Sequence, residues 1–324
     1  MTRTKPSLDL VKRWDAADAM AETKILLSEL QGSTRSAFKK SPFGEINGLV
    51  DLRGFPFHAA SKIVGKSFEG LDLSAASFEG VWLQECALKD VRFDYANLKE
   101  FKDHGNRFEG CSFVKSSFIG AGLGYRKTLY SECLFEESDF RKSTFLAARL
   151  QSCRFVNAKL KGIDFYASTF DACVFLGRLE NVWFRGGYPS LRDIVEFGDA
   201  EPNLMRHVSF AGAELLAVNF TGGCDLSSVT LPMSDDYRLY GDWHSRLLRL
   251  SGDSSKWSAA VQKEAQIFVQ SYLESSVKQS WMLLNVADIS EEFGKEIAMK
   301  IFGSLDADAD TVTSPLSGRT KVSD

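Results

Sequence analysis

The sequence predicts a mainly β solenoid. Three observations carry that prediction. A large apolar residue recurs at every fifth position over more than half of the 324 residues. A column of small residues sits two positions before it. The period fits neither a 3.6-residue helix nor a long strand alternating in twos.

Read in fives from Ile63, the large column is Ile63, Phe68, Leu73, Phe78, Leu83, Leu88, Phe93, Leu98, Asp103, Phe108, Phe113, Phe118 and Leu123. Only Asp103 departs. The register then slips by two residues, runs from Tyr130 through Phe135, Phe140, Phe145, Leu150, Phe155, Leu160, Phe165 and Phe170 to Phe175, and returns at Phe210, Leu215, Phe220, Leu226 and Leu231. The small column includes Ala76, Ala96, Cys111, Ser116, Cys133, Ala148, Cys153 and Cys173. Residues two apart on an extended segment point the same way. The large and the small residue therefore both face inward, and large groups stack coil on coil only beside small ones.

Units such as Ala96-Asn97-Leu98-Lys99-Glu100 resemble the pentapeptide-repeat family, whose usual unit is A-(D/N)-L-x-x. The resemblance spans roughly Leu52 to Leu231. It implies a right-handed quadrilateral β-helix with four pentapeptides per coil and coils stacked at strand spacing. The chain then divides into an N-terminal helical segment (1–45), the solenoid (46–232) with an inserted loop near 186–206, a C-terminal helical cap (233–305) and a polar tail (306–324), expected to be disordered.

The six cysteines, Cys86, Cys111, Cys133, Cys153, Cys173 and Cys224, all fall in the small inward column. Cys133, Cys153 and Cys173 are one square coil apart, and Cys111 precedes Cys133 by one coil plus the slip. A stack of reduced, buried thiols is expected rather than disulfides or a metal site. The scattered histidines His58, His104, His207 and His244 make no metal motif.

Three breaks interrupt the repeat. At Gly120–Lys127 two extra residues must bulge outward, presenting Tyr125, Arg126 and Lys127. At 186–206 a long insertion contains Tyr188 and Arg192, with one short helix expected from Ser190 to Phe197; long loops in compact folds tend to carry function. At Phe101-Lys102-Asp103 a buried carboxylate would be costly. Phe101 is therefore expected to fill the core while Asp103 turns outward.

Outward positions differ among the sides. The cysteine side carries Val114, Leu134, Val156, Val174 and Leu176, and the opposite side carries Trp82, Leu146, Tyr166 and Trp183. Contiguous apolar surface points to a covering helix or a partner. An acidic group, Glu132, Glu136, Glu137 and Asp139, is the other candidate contact. From Ile63 to Leu231 the count is 22 acidic against 19 basic residues, so the solenoid is not a strongly negative rod.

In the flanks, one helix is expected from Ser7 to Leu30. Beyond the solenoid, helices are expected at Asp235–Leu250, at about Ser255–Leu284, and from about Asp288 with Glu291 completing a capping box. Solenoid ends need caps, and these helices are the candidates, with self-association into a homodimer through the C-terminal ones.

The sequence holds no phosphate loop, catalytic triad or metal spacing, and no enzyme activity or cofactor is expected. No segment approaches a transmembrane span or a signal core, so a cytoplasmic location is expected. The expected function is a non-enzymatic protein–protein interaction scaffold that uses a solenoid face or loop, with no direct nucleic-acid binding. The resemblance implies an alternative: binding DNA gyrase or another type II topoisomerase, with antibiotic or toxin resistance, by mimicry of DNA. The balanced charge speaks against the mimicry.

Overall fold

A computed structural model of the chain describes residues 9–307. The solenoid is built from three-residue strands joined by corners, and each strand pairs in parallel with the strand one coil away. The first side is eight-stranded, from Lys62–Val64 to Asn219–Thr221. The second is six-stranded, from Ser67–Glu69 to Thr169–Asp171. The third runs through Leu134–Glu136, Arg154–Val156, Val174–Glu180 and Ser209–Leu216. The fourth is held by single bridges, Ser77 to Asn97 to Ser117 to Asp139 to Lys159. This is the quadrilateral β-helix that the period of five implies.

The corners explain the period. From Gly65 to Gly120 every fifth residue has positive φ, and the same recurs from Glu132 to Gly177. Several of these are not glycine, among them Glu85, Tyr95 and Lys115. Each such left-handed residue costs about 1–2 kcal/mol, which the stacked core must offset. The core does so with continuous aromatic columns. On the third side Phe93, Phe113, Phe135, Phe155, Phe175 and Phe210 stack at centroid spacings of 4.9, 5.0, 4.8, 4.8 and 5.0 Å. Offset stacking of this kind adds about 0.5–1.5 kcal/mol per pair beyond burial.

All six cysteines are buried and unpaired. Cys111, Cys133, Cys153 and Cys173 form one column, with the Cys133 and Cys153 thiols each facing a thiol on either side. Burial pushes the Cys133 and Cys173 thiols well above the ordinary range, as suits inert packing groups.

At the N-terminal end the single helix expected from Ser7 is broken. A helical turn, Asp9–Lys12, and a 3-10 turn, Arg13–Asp15, precede helix α1 (Ala17–Gln31), and Ala16 is extended. The break lets Trp14 insert edge-on between Phe43 and Phe55, while Arg13 grips the Asp51 carboxylate. Lys66 then tethers α1 to the solenoid. Its buried ammonium donates to the carbonyls of Glu29, Gly32 and Thr34 at 2.8, 2.6 and 2.8 Å, at the negative end of the helix dipole.

The C-terminal end departs further from the sequence expectation. Asp235–Leu250 is not one helix: Tyr237–Tyr240 is a strand, and α3 spans Trp243–Ser254. α4 is Ala259–Ser276, and Met282–Asn285 is a second strand, antiparallel to the first. The last helix divides at Gly294 into α5 (Val286–Phe293) and α6 (Lys295–Leu305), and the cap is the Asn285 side chain rather than Asp288 with Glu291. The strand pair closes the open end. Leu239 and Leu283 join the solenoid core, and the Gln279 carboxamide takes the N–H groups of Gly223 and Cys224. The helices pack around a core of their own, centred on Trp243, Phe268 and Ile301. The tail expected from 306 lies almost wholly outside the described residues. Among the described residues no helix is long and apolar enough to cross a membrane.

Candidate interaction site

The three breaks in the repeat converge on the first side. Asp103 does not turn outward: it is fully buried in the inward column, and Phe101 is buried as well. Four donors surround its carboxylate: one backbone N–H, two hydroxyls and one carboxamide. They are the backbone N–H of Gly124 at 3.0 Å, the hydroxyl of Thr128 at 2.8 Å, the hydroxyl of Tyr130 at 2.7 Å and the carboxamide of Asn106. Burial pushes the carboxyl above its ordinary range, and the hydrogen bonds pull the other way. The group is closed off from solvent and holds its four neighbours in position.

Three of those donors lie in or just after the two-residue insertion. Gly124 has φ +86°, and a Cβ there would meet the backbone of Ala148 at 2.8 Å. Glycine is thus required where the chain dips inward to reach Asp103. Arg126 and Lys127, both left-handed, then carry the bulge out.

The expected basic finger is engaged within the chain. Tyr125 stacks on His104 with centroids 5.1 Å apart, and His104 lies against Trp82 at 4.9 Å. Lys62 covers the Trp82 ring at 4.2 Å. Burial, with Arg126, Lys102 and Lys62 nearby, lowers the His104 pKa. Arg126 faces Glu85 at 3.7 Å, and Lys127 holds Glu201 at 3.0 Å. Arg149 also donates its Nε to Glu201 at 2.8 Å. The Arg149 and then the Lys127 hydrogen bonds bring the Glu201 carboxyl down to about 2.

Glu201 belongs to the long insertion, so this latch ties the insertion to the bulge. Helix α2, Leu191–Phe197, forms as expected, with Ser190 and Asp193 in a capping box. Phe197 reaches back to Tyr125 and Tyr188, at 6.4 and 6.0 Å. A cleft of about 290 Å³ remains between bulge and insertion, lined by Arg126, Lys127, Ala147, Tyr188, Glu196 and Phe197. On the outer face of α2, Leu191 is 80% and Val195 88% exposed, and Arg192 is exposed as well.

The remaining candidates scatter. Trp82, Tyr166 and Trp183 are half-buried on the first side, the last two sharing the Arg185 guanidinium at 5.4 and 4.1 Å. Leu146, expected outward there, is buried, and its neighbour Ala147 lines the cleft against the insertion. On the third side Leu134, Val156, Val174 and Leu176 are half-buried. Val114, expected to be exposed with them, is buried: its short β-branched side chain is flanked in the adjacent coils by Asp94, which accepts its N–H, and Glu136. The four carboxylates do not form one patch. Glu132 and Glu137 occupy corners, Glu136 the third side and Asp139 the fourth; Glu137 faces Lys115, and Asp139 is held by Arg141 and Lys159. Sequence reasoning gave no role to Glu201, Phe197 or His104, because their partners lie one or more coils away.

Among known families, the model described as pentapeptide repeats matches residues 131–170 in eight copies. A search of curated protein sequences gives no match. Solved structures with a likeness include QnrB1, described as a plasmid-mediated fluoroquinolone resistance protein, at 16% identity over 52% of this chain and 81% of that one, TM-score 0.22. HetL, from the cyanobacterium Nostoc, is 14% identical over 54% and 94%, TM-score 0.22. Rfr23, from Cyanothece, is 10% identical over 54% and 94%, TM-score 0.19. At these values the likenesses carry no argument about partners.

Proposed function

Because the chain is a pentapeptide-repeat protein, we propose that it works as a non-enzymatic protein-binding scaffold whose contact element is the 186–202 insertion. One observation carries this reading. The insertion presents Leu191 and Val195 to solvent while Glu201 and Phe197 fasten it to the solenoid, and Tyr188 packs on Phe197 from within the insertion. A loop that served only as a connection has no need of an exposed aliphatic face held in place. Preorganisation of this kind lowers the entropic cost of binding.

The topoisomerase alternative has weaker support. Its candidate carboxylates are divided between two sides and two corners, and Asp139 is neutralised by Arg141 and Lys159. The test of the scaffold reading is a photo-crosslinking residue placed at Val195, with Glu79 on the fourth side as control, in the native host. A discrete protein adduct at Val195 alone, lost in Leu191→Asp, is the expected result. Equal labelling at both positions, or none, refutes it.

A further inference from the structure

We propose that the pocket where the last coil meets the C-terminal cap binds a primary alkylammonium, brought by a free amine or by a lysine side chain of another protein. The pocket shares no residue with the α2 insertion. It holds about 150 Å³, room for a molecule of about six heavy atoms. Its walls are aliphatic: Leu215 and Val218 come from the last coil, Leu283 from the closing strand and Ile289 from α5. Most polar groups on the lining are satisfied within the chain. The Tyr237 hydroxyl accepts the N–H of Leu215 at 3.0 Å and donates to its carbonyl at 3.3 Å. The Asn219 carboxamide donates to the Ala217 carbonyl, and the Asn285 carboxamide caps α5 with its oxygen and donates to Leu215 with its nitrogen.

Three groups remain. Asp288 and Glu292 lie one turn apart on α5, both exposed, and neither has an ion pair or a side-chain hydrogen bond among the described residues. Like charges at this spacing weaken a helix when no cation lies between them. Tyr272 of α4 packs its ring on Trp243 and Phe268, at 5.8 and 5.1 Å, and its hydroxyl has no hydrogen bond among the described residues. Burial, then Glu292 and Asp288, raise the Tyr272 pKa, so both carboxylates act on the phenol. No basic residue lines the pocket, and Arg238, beside Tyr237, turns its guanidinium to the carbonyls of Asp235 and Tyr237. The free groups are therefore all acceptors, two of them anionic, and they select a ligand that is positive and rich in N–H. An ammonium has three donors and no acceptor. The aliphatic walls call for an alkyl stem behind it, as a lysine carries, and the phenol rings favour the cation further. A hard metal ion would use neither wall nor ring, and among the described residues no group of metal-ligating side chains is placed to hold one.

The experiment titrates the full chain calorimetrically with n-butylammonium chloride, 1-butanol and sodium butyrate at matched ionic strength, with circular dichroism to verify folding of each variant. n-Butylammonium is expected to saturate a single site and to bind about tenfold or more tighter than the neutral and the anionic probe. Asp288→Asn/Glu292→Gln, at exposed positions, should weaken it by about tenfold or more. Glu274→Gln/Glu291→Gln removes the same charge from exposed positions outside the pocket and should change the affinity by no more than about twofold. Nα-acetyl-lysine N-methylamide separates the two sources: binding comparable to that of n-butylammonium assigns the pocket to a lysine side chain, and binding of n-butylammonium alone assigns it to a free amine, the pocket chemistry being upheld in both cases. No saturable binding of either amine overturns the proposal. So does 1-butanol binding as well as n-butylammonium, or an equal loss in the two double variants, since hydrocarbon alone or net charge alone would then account for the affinity.

Discussion

Restoring the repeat pattern at its one internal exception, by Asp103→Leu, is expected to destabilise the chain. The magnitude follows from the four donors. Asn106 keeps the Leu83 carbonyl at 2.8 Å, and the Thr128 hydroxyl can turn to the Tyr125 carbonyl at 3.3 Å. The Gly124 N–H and the Tyr130 hydroxyl have no other acceptor shown, and each costs about 1–3 kcal/mol when buried and unpaired. A buried leucine returns about 1.5–3 kcal/mol. The midpoints, about 4 lost against about 2 gained, leave a net loss of about 2 kcal/mol. Urea unfolding followed by tryptophan fluorescence measures it. A cycle with Tyr130→Phe isolates the phenol–carboxyl bond, and a coupling of about 1.5–3 kcal/mol is expected if that acceptor is ionised. There is also a pH signature. Burial raises the native pKa of Asp103, so the native state holds the proton better than the unfolded chain does. The site's contribution is therefore full below the unfolded pKa of about 3.9 and falls as pH rises through the native value. The deficit of Asp103→Asn, which does not titrate, should shrink over that climb. Asp103→Leu at or above wild-type stability, or a coupling below about 0.5 kcal/mol, refutes the reasoning.

Gly124→Ala should cost more than about 3 kcal/mol, since the new Cβ meets Ala148 at 2.6 Å in a left-handed backbone; the same urea assay reads it. Glu201→Gln should open the insertion and speed tryptic cleavage after Arg192 several-fold. In the wild type the Glu201 latch, with its depressed pKa, is fully present above the ordinary glutamate range and is lost as pH falls through about 2, so pepsin cleavage within 186–202 should rise only there. Phe155→Asp, placed between Phe135 and Phe175 at 4.8 Å each, should prevent folding, whereas Lys159→Ala, which removes an exposed ammonium from Asp139 while Arg141 keeps that carboxylate paired, should change stability by no more than about 0.5 kcal/mol; similar thermal midpoints would contradict the inward register. Purified protein should leave gyrase supercoiling unchanged between about 50 and 200 mM salt, and inhibition that disappears on reversing Glu132, Glu136, Glu137 and Asp139 to lysine would revive the topoisomerase reading.

How much was legible depends on how far apart the partners lie in the chain. The inward columns are local facts, written in each unit, and the period of five exposes them directly. The left-handed corners are equally regular in the structure but nearly invisible in the sequence, because Glu85, Tyr95, Lys115 and Ala172 occupy them as readily as glycine. The strand pair at the C-terminal end is not legible locally, because Tyr237–Tyr240 meets Met282–Asn285 only across two intervening helices. Asp103 shows the limit of a residue-by-residue reading. Weighed alone, a carboxylate in an aromatic core should turn to water. In a solenoid, however, a separation of about twenty residues is a vertical contact. Asp103 and the insertion near Gly124 therefore had to be weighed together: an unexplained acceptor in one coil, and irregular backbone with free donors in the next. The same step of one coil leads from Lys127 towards Arg149, and both hold Glu201. The buried acid sets the bulge, the bulge supplies a cation to the latch, and the latch holds Leu191 and Val195 where a partner can reach them.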